Sequence, residues 1–283
     1  MAERIGSLSD IVEHYDVILC DVWGVLHNGV SSFPDASIAL RKARESGLTV
    51  VLITNSPRPS KGVIPQLEGL GVLTEAYDRI VTSGDVTRKL IAEGPRKIYF
   101  IGADRDHPLL EGLDVVQVAE EDADVLVCAG FVDDEVETPE MYRDMLARFV
   151  ARDIPMICAN PDLVVERGHR LIPCAGALAA LYEELGGDTR IAGKPHAPIY
   201  AASLAAAADE QRAGINLGRV LAIGDGMPTD VKGAISEGLD LLYISAGIHA
   251  RDYMEGSTTD EAALDAFLES HQARPRWWIP RLA

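Results

Sequence analysis

The sequence is short of positive charge. Only 26 Lys and Arg residues stand against 44 Asp and Glu residues, which gives a formal net charge of -18 at pH 7. A field of this sign repels the phosphates of nucleic acids and of anionic membranes. We therefore expect neither a nucleic acid nor a membrane surface among the partners.

Long apolar runs are missing, and so is any close pair of cysteines. No stretch approaches the roughly 18 apolar residues of a membrane-spanning helix, and the segment MAERIGSLSDIVEHYDVI has no apolar centre of a secretion signal. Three of the four cysteines lie in apolar, strand-like runs, and none forms a CxxC pair, as is typical of buried, reduced thiols. These features predict a cytoplasmic protein whose cysteines, Cys20, Cys128, Cys158 and Cys174, are not cross-linked.

What the chain does contain is an alternation of short apolar runs and amphipathic, helix-like segments. Segments such as ASIALRKARESG follow the apolar runs, and Gly47 and Gly71 stand where helices should end. This rhythm predicts an α/β fold built on a doubly wound parallel sheet. The expected strands of that sheet lie at 17–21, 49–56, 79–83, 189–195, 219–226 and 239–247.

The middle of the chain differs from the two ends. Strand-like runs such as KIYFIGA and ADVLVCAGFV are separated there by acidic stretches, and residues 85–189 hold 22 Asp and Glu against 10 Lys and Arg. A span of this length is enough for a domain of its own. We predict a core formed by residues 1–84 and 190–283, with an inserted domain at 85–189 that can act as a lid. His107 and His169 are expected at its surface.

Three carboxylates stand where predicted strands end. Asp21 follows the apolar run VILC, and Asp225 and Asp230 lie in IGDGMPTD. In open α/β sheets the carboxyl ends of strands converge on the ligand site. Three carboxylates brought together repel one another unless a cation is present, and hard oxygen ligands suit Mg²⁺.

Phosphate-binding groups are expected at the same edge of the sheet. Thr54 ends the second predicted strand, Lys194 follows a further apolar run, and glycine-rich turns offer backbone amides. A cation, a phosphate and a carboxylate nucleophile together form a phosphoryl-transfer site. Each residue alone also fits a turn, cap or strand role. The order Asp, Thr-Asn, Lys, Gly-Asp-x₄-Asp along the chain is what favours a site.

The motifs resemble those of a known family. DVWGVLHNG, LITNS, AGKPHAPIY and GDGMPTD are similar, in this order, to motifs one to four of the haloacid dehalogenase-like (HAD) hydrolases. Together with ANPD at 159–162 and AGALAALYEELGG they resemble subclass IIA, the NagD-like and p-nitrophenyl phosphatase-like group. The resemblance covers almost the whole chain.

This resemblance implies a fold, a cofactor and a set of residue roles. The fold would be a Rossmann-like core with an inserted α/β cap of the C2 type. Asp21 would attack the phosphorus to form an aspartyl-phosphate, while Thr54 and Lys194 hold the phosphoryl oxygens. Mg²⁺ would be held by Asp21, the backbone carbonyl of Trp23, Asp225 and Asp230. Further candidate substrate contacts are Trp23, Gly24, Asn55, Ser56, Arg58, Asn160 and Asp162.

Trp23 departs from the family pattern. Most family phosphatases have Asp here, which protonates the leaving oxygen and then activates water, whereas an indole N–H is neither an acid of that strength nor a base. One hypothesis is that the enzyme hydrolyses activated phosphates, such as aryl or acyl phosphates. Other hypotheses are a replacement proton donor, His27 or His196, a metal-free dehalogenase, and a phosphometabolite-binding sensor without turnover.

The substrate and the oligomeric state are less constrained. A large cap admits small substrates, so we expect a small phosphorylated metabolite, with pyrimidine, sugar and pyridoxal phosphates all open. Trp277 and Trp278 fit either a final strand packed on the sheet or a surface facing a partner chain. A homodimer is the working hypothesis, because dimers are the commonest oligomers.

Overall fold

The structure is a computed structural model that describes residues 2–168, 170–256 and 258–283. His107 is exposed, as expected, while His169 lies outside the described residues. Throughout the described ranges, each helix is too short or too polar to cross a lipid bilayer. All four cysteines are buried, and none of them forms a disulfide.

The strands are numbered in chain order. They are β1 (Glu3–Arg4), β2 (Val17–Cys20), β3 (Thr49–Thr54), β4 (Arg79–Thr82), β5 (Lys97–Ile101), β6 (Val116–Gln117), β7 (Val125–Cys128), β8 (Met156–Cys158), β9 (Val164–Arg167), β10 (Arg170–Pro173), β11 (Thr189–Ile191), β12 (Val220–Gly224), β13 (Asp240–Ile244), β14 (Met254–Glu255), β15 (Thr258–Thr259) and β16 (Trp277–Ile279).

The helices alternate with these strands. They are α1 (Pro34–Glu45), α2 (Ser60–Leu70), α3 (Ser83–Ala92), α4 (Arg143–Val150), α5 (Ala175–Glu184), α6 (Ala197–Gln211), α7 (Lys232–Glu237) and α8 (Glu261–Ser270). A π-helical turn, Met227–Val231, leads directly into α7. Gly47 and Gly71 follow α1 and α2 with positive φ angles, the backbone conformation that favours glycine after a helix.

The described chain divides into two compact units. The core unit comprises Met1–Thr54, Ile64–Val81 and Tyr200–Ala283, and the inserted unit comprises Asn55–Val63 and Thr82–Ile199. The domain limits 1–84, 85–189 and 190–283 are sequence-based and remain a proposal.

The core unit is built on a seven-stranded sheet of order β1-β16-β13-β12-β2-β3-β4. Strands β2, β3 and β12 lie at its centre, pair in parallel and are buried along their whole length. Their near-continuous Val, Ile and Leu runs suit strands that are covered on both faces. The predicted α/β class with a parallel central sheet is confirmed.

The inserted unit has a sheet of its own, of order β11-β8-β7-β5-β6 with parallel pairs throughout. One face packs a core that includes Phe131, Phe149 and Tyr182, and the other packs one that includes Ile98 and Ile157. Both faces are therefore covered, as parallel sheets require.

Strand β11 lies in a different sheet from the one that the sequence pattern predicts. Thr189–Ile191 pairs in parallel with Met156–Cys158 at the edge of the inserted sheet, and not with the core strands. Helix α5 supplies the crossover that a parallel neighbour of β8 needs. A run of three residues carries too little pattern to indicate which sheet it joins.

The C-terminal residues form the last strand of the core sheet. Trp277 and Trp278 are buried in β16, which pairs with both β1 and β13. Trp277 Nε1 donates a hydrogen bond to the Tyr15 hydroxyl at 2.7 Å, which satisfies the buried indole N–H. Of the two roles considered for this tryptophan pair, the structure favours packing of a final strand.

Candidate active site

Three buried carboxylates meet at the carboxyl ends of the central strands of the core unit. Asp21 follows β2 and Asp225 follows β12, and these two strands pair in parallel with Ile223 opposite Cys20. Asp230 lies one helical turn further, in the turn Met227–Val231. Each residue is at most 6% exposed, and one carboxylate oxygen from each lies within 4.8 Å of the others.

The carboxylate of Asp225 is enclosed by backbone. A β-carbon at Gly24 would lie 2.3 Å from Asp225 Oδ2, and one at Gly247 would lie 2.1 Å from it. Gly24 also has a φ of +87°, which disfavours any side chain. Ile248 N donates to Asp225 Oδ2 at 2.7 Å. Gly24, Gly247 and the Ile248 amide therefore restrict the position of this carboxylate.

Asp230 is fixed by the turn to which it belongs. Gly226 N donates to Asp230 Oδ2 at 3.1 Å, and a β-carbon at Gly224 would lie 2.2 Å from Asp230 Cγ. Gly224 and Gly226, the glycines of the sequence GDG, thus leave room for the Asp230 carboxylate against their backbone. They are needed for close approach rather than for a turn alone.

The donor set fits a divalent cation. Amide donors orient a carboxylate without cancelling its formal charge, and three buried carboxylates at this spacing repel one another. Oxygen ligands of this kind suit hard divalent ions. The chemistry of the cluster therefore matches a divalent metal, while the role of each residue as a ligand remains a prediction.

Trp23 packs against the loop that follows it. Its ring lies edge-to-face on His27, with the centroids 4.9 Å apart, and a β-carbon at Gly29 would lie 2.5 Å from its Cζ2 atom. Gly24 N donates to the His27 carbonyl oxygen at 2.8 Å, closing the loop. The indole therefore sits in a slot made by His27 and Gly29.

His27 is buried and its tautomer is set by its contacts. Gly29 N donates to His27 Nδ1 at 2.9 Å, so Nδ1 is an acceptor and Nε2 carries the proton of the neutral ring. His27 is 2% exposed, which excludes a role as a solvated surface histidine. A protonated Nε2 is compatible with a donor role, which remains a hypothesis.

The second motif divides between the two units. Thr54 ends β3 in the core unit and is buried, while Asn55 opens the inserted unit. Ser56 Oγ accepts a hydrogen bond from Arg58 N at 3.3 Å, and its carbonyl oxygen accepts one from Gly84 N at 3.0 Å. The turn after Thr54 is thereby bound to the start of α3.

Lys194 is fixed through Asn55. Lys194 N donates to Asn55 Oδ1 at 2.8 Å, and Asn55 Nδ2 donates to the Lys194 carbonyl oxygen at 3.2 Å and to Asp162 Oδ1 at 2.8 Å. Lys194 is 2% exposed, and a β-carbon at Gly193 would lie 2.7 Å from Asn55 Oδ1. One amide side chain thus joins the second motif, the third motif and the ANPD turn.

The two remaining candidate substrate contacts have structural partners of their own. Asn160 Oδ1 accepts from Asp162 N at 3.1 Å, which is a turn-stabilising bond. Burial lowers the pKa of Arg58, while the charge of nearby Asp106 raises it and that of Arg105 lowers it. Their contact with substrate remains a prediction.

His196 belongs to the inserted unit. It is exposed and lines an open cavity of about 400 Å³ beside the edge strand β11 of the inserted unit. The cavity is lined by Leu90, Glu183, Thr189, Arg190, Ile191 and His196. The role of His196 as a replacement proton donor remains a hypothesis.

The segment after β13 is the part of the site that sequence reasoning missed. Gly247 and Ile248 enclose Asp225, and His249 Nε2 accepts a hydrogen bond from Met227 N at 3.2 Å. The one available signal was the glycine in SAG at the end of a predicted strand, and a glycine in that position also fits an ordinary turn.

Two family profiles match the chain. One, described as haloacid dehalogenase-like hydrolase, matches residues 18–116, and one described as HAD-hydrolase-like matches residues 191–270. A solved hydrolase of the haloacid dehalogenase-like family from Brucella suis 1330 is 53% identical, with a TM-score of 0.89 and full coverage of both chains.

Two curated relatives are more distant but extend over nearly the whole chain. The ribonucleotide monophosphatase NagD of Escherichia coli K12 is 26% identical over 282 residues, which covers 94% of this chain and 96% of NagD. The 5'-nucleotidase YutF of Bacillus subtilis is 24% identical over 271 residues, covering 94% of this chain and 98% of YutF.

Proposed function

Because this chain belongs to the haloacid dehalogenase-like hydrolases of subclass IIA, we propose that it is a Mg²⁺-dependent phosphatase of a small phosphorylated metabolite. Its preferred substrates are esters with activated leaving groups. The observation that carries the proposal is the buried cluster of Asp21, Asp225 and Asp230. The names of NagD and YutF, a monophosphatase and a nucleotidase, support a phosphate monoester as substrate.

Asp21 is the proposed nucleophile. Its backbone N–H donates to the Ile223 carbonyl oxygen at 2.8 Å, which extends the β2–β12 pairing to the reacting residue. A carboxylate oxygen attacks phosphorus, the bond to the leaving oxygen breaks, and an aspartyl-phosphate results. Water then attacks this phosphorus and releases inorganic phosphate, which regenerates the carboxylate.

Asp21, Asp225, Asp230 and the Trp23 carbonyl oxygen would hold Mg²⁺. When bound, the ion supplies positive charge that offsets the carboxylates and the transferring phosphoryl group. The amides around Asp225 and Asp230 orient these side chains before substrate arrives.

Thr54, Lys194 and the backbone of the second motif are the proposed phosphate-binding groups. Asn55 holds the Lys194 backbone at both its N–H and its carbonyl, which limits the positions that the ammonium group can reach. Lysine serves phosphate as a compact positive charge. Gly24 and Ser56 are proposed to add contacts to the phosphoryl group, and Arg58 and Asn160 to the leaving group.

Trp23 sets the proposed preference for activated esters. Its indole is packed on His27 and Gly29, and it has no group that protonates a leaving alkoxide at neutral pH. General acid help is worth about 10²- to 10⁴-fold in rate. A leaving group of low pKa, such as a phenolate or a carboxylate, departs without that help.

The proposed setting is the cytoplasm and the proposed substrate is small. Four buried cysteines without a disulfide suit a reducing compartment. The net charge of -18 disfavours highly anionic substrates. A homodimer is retained as the proposed quaternary structure.

Phosphate release from p-nitrophenyl phosphate, acetyl phosphate and a panel of alkyl phosphates tests this function. The assay compares wild type, Asp21→Asn, Trp23→Asp and the matched control Trp23→Phe, with Mg²⁺ and with EDTA. We expect wild type to cleave the activated esters only with Mg²⁺, Asp21→Asn to be inactive, and Trp23→Asp alone to gain alkyl phosphates.

Three results would contradict the proposal. Efficient alkyl phosphate hydrolysis by wild type would require another proton donor, with His27 as the next residue to change. Halide release from 2-haloacids in EDTA would indicate a dehalogenase. Binding of phosphometabolites without any turnover would indicate a sensor.

A further inference from the structure

The segment Gly247–His249 contacts the fourth motif at two points. Ile248 N donates to the Asp225 carboxylate at 2.7 Å, and Met227 N donates to the ring nitrogen Nε2 of His249 at 3.2 Å. The first contact fixes a side chain, and the second fixes the backbone two residues further on. Both ends of the sequence Asp225–Met227 are thus held by one neighbouring segment.

The contact at Met227 satisfies a group that needs a partner. Met227 is the first residue of the turn that carries Asp230, and the first amides of a helical turn have no acceptor within it. Met227 is only 6% exposed, so water has little access to the residue. The imidazole takes the place of an N-terminal cap from outside the turn.

Phe267 and Asp252 hold the ring of His249 in this orientation. It packs on Phe267 of α8, with the ring centroids 5.3 Å apart, and Nδ1 lies 3.7 Å from Asp252 Oδ2. An Nε2 that accepts from an amide leaves the proton of the neutral ring on Nδ1, the nitrogen that faces this carboxylate. Burial lowers the pKa of His249, which favours the neutral ring that this geometry needs; nearby Asp252 raises it and His271 lowers it.

We propose that His249 is a positioning residue of the cation site, which caps the turn Met227–Val231 and so sets the distance between Asp225 and Asp230. In this role His249 would contact neither the cation nor the substrate. This assignment rests on the proposed function only in that the cation serves phosphoryl transfer. Its structural basis, the hydrogen bond from Met227, does not depend on turnover.

Two matched substitutions separate capping from general packing. Glutamine at 249 places an amide oxygen near the position of Nε2, so His249→Gln should retain the bond from Met227. Asparagine is shorter and should lose it, although it is equally polar. The control is His271→Asn, because His271 also packs on Phe267, at 4.4 Å between centroids, but is exposed and bonds within its own helix end.

The primary measurement is Mn²⁺ binding, followed by electron paramagnetic resonance of the free ion. Substitution of a residue that orients a metal ligand typically weakens metal binding by about 10- to 100-fold. We expect His249→Asn to weaken Mn²⁺ binding by about tenfold, with His249→Gln and His271→Asn close to wild type. In phosphate release, KM for the ester at saturating Mg²⁺ should stay unchanged while the Mg²⁺ requirement of His249→Asn rises.

Wild-type Mn²⁺ affinity in His249→Asn would overturn the assignment, as would equal weakening in His271→Asn. Mn²⁺ binding by His249→Gln as weak as that of His249→Asn would also overturn it, because a hydrogen-bond acceptor for Met227 N would then not be the essential feature. If no variant and no wild-type protein hydrolyses any ester, the proposed function fails, whereas the Mn²⁺ data still decide the role of His249.

Discussion

The two units surround their acidic side chains in different ways. In the core unit, Asp225 and Asp230 are buried, and their donors include the backbone amides of Ile248 and Gly226. In the inserted unit, Asp134 accepts hydrogen bonds from the guanidinium groups of Arg105 and Arg167 at 2.6 and 2.8 Å. Amides carry no formal charge, whereas arginines cancel the charge of a carboxylate.

This difference indicates what each group of residues is for. Carboxylates paired with arginines are electrostatically complete and serve the structure of the inserted unit. Carboxylates whose oxygens lie within 4.8 Å of one another repel, and a divalent cation offsets that repulsion. Burial alone does not distinguish a site from a structural network, whereas the close packing of like charges favours a cation site.

The largest expected effect separates the two kinds of carboxylate. Asp21→Asn should lower phosphate release by at least about 10⁴-fold, because it removes the nucleophile. Asp134→Asn, the matched change in the inserted unit, should leave kcat within a factor of about three, within the range of indirect effects. Steady-state kinetics on p-nitrophenyl phosphate measure both, and a comparable loss in the two variants would abolish the distinction.

A smaller effect is expected from filling the space beside Asp225. In Gly24→Ala the new β-carbon would collide with the carboxylate, and we expect turnover to fall about 10²-fold as a ligand is displaced. Gly47→Ala is the control, since Gly47 has a similarly positive φ but no heavy atom within 4 Å of an added β-carbon. It should cost about 1–2 kcal/mol of stability without loss of turnover.

Substitution of Asn55 tests whether turnover depends on the position of the Lys194 backbone. Asn55→Ala removes the bonds to Lys194 and Asp162, and we expect kcat/KM to fall about 10- to 100-fold, as for a misplaced binding group. Asn216→Ala is the control, because it removes only an exposed turn bond, from Gly218 N, and should change kcat/KM by less than about threefold. Equal losses of kcat/KM in the two variants would contradict a role of Asn55 in positioning Lys194.

The smallest effect concerns pH and stability. Burial raises the pKa of Asp134, but hydrogen bonds and charge from Arg167 and Arg105 outweigh it and hold that pKa below its ordinary value of 3.8. A lowered folded-state pKa gives stability that is present above pH 3.8 and is lost as the pH falls through the folded-state pKa. Asp134→Asn should therefore lower Tm at pH 7 and differ less from wild type near pH 3. A Tm difference that stays constant with pH would contradict this.

The sequence predicts structure best where a run of apolar residues follows directly from the burial of a strand. The runs at β2, β3 and β12 are apolar throughout because both faces of the sheet are covered, and their ends identified the residues that follow them. Asp21 and Asp225 were therefore predictable as neighbours. Gly24 and Gly226 also belong to recognisable motifs.

The features that the sequence does not predict depend on contacts between residues far apart in the chain. Nothing in the run Thr189–Ile191 indicates that it joins the inserted sheet, because three residues form an edge strand beside either sheet equally well. The bonds from Asn55 to Lys194 join positions 139 residues apart. His249 and Met227 meet only because β12 and β13 are neighbours, so their hydrogen bond has no local signal.

The most direct test of the account is the dependence of kcat/KM on the pKa of the leaving group, measured with a series of substituted phenyl phosphates. Because Trp23 supplies no proton, wild type should show a steep decline as the leaving-group pKa rises, while Trp23→Asp should show a shallow one. Equal slopes in the two proteins would mean that another group protonates the leaving oxygen, and the proposed role of Trp23 would be wrong.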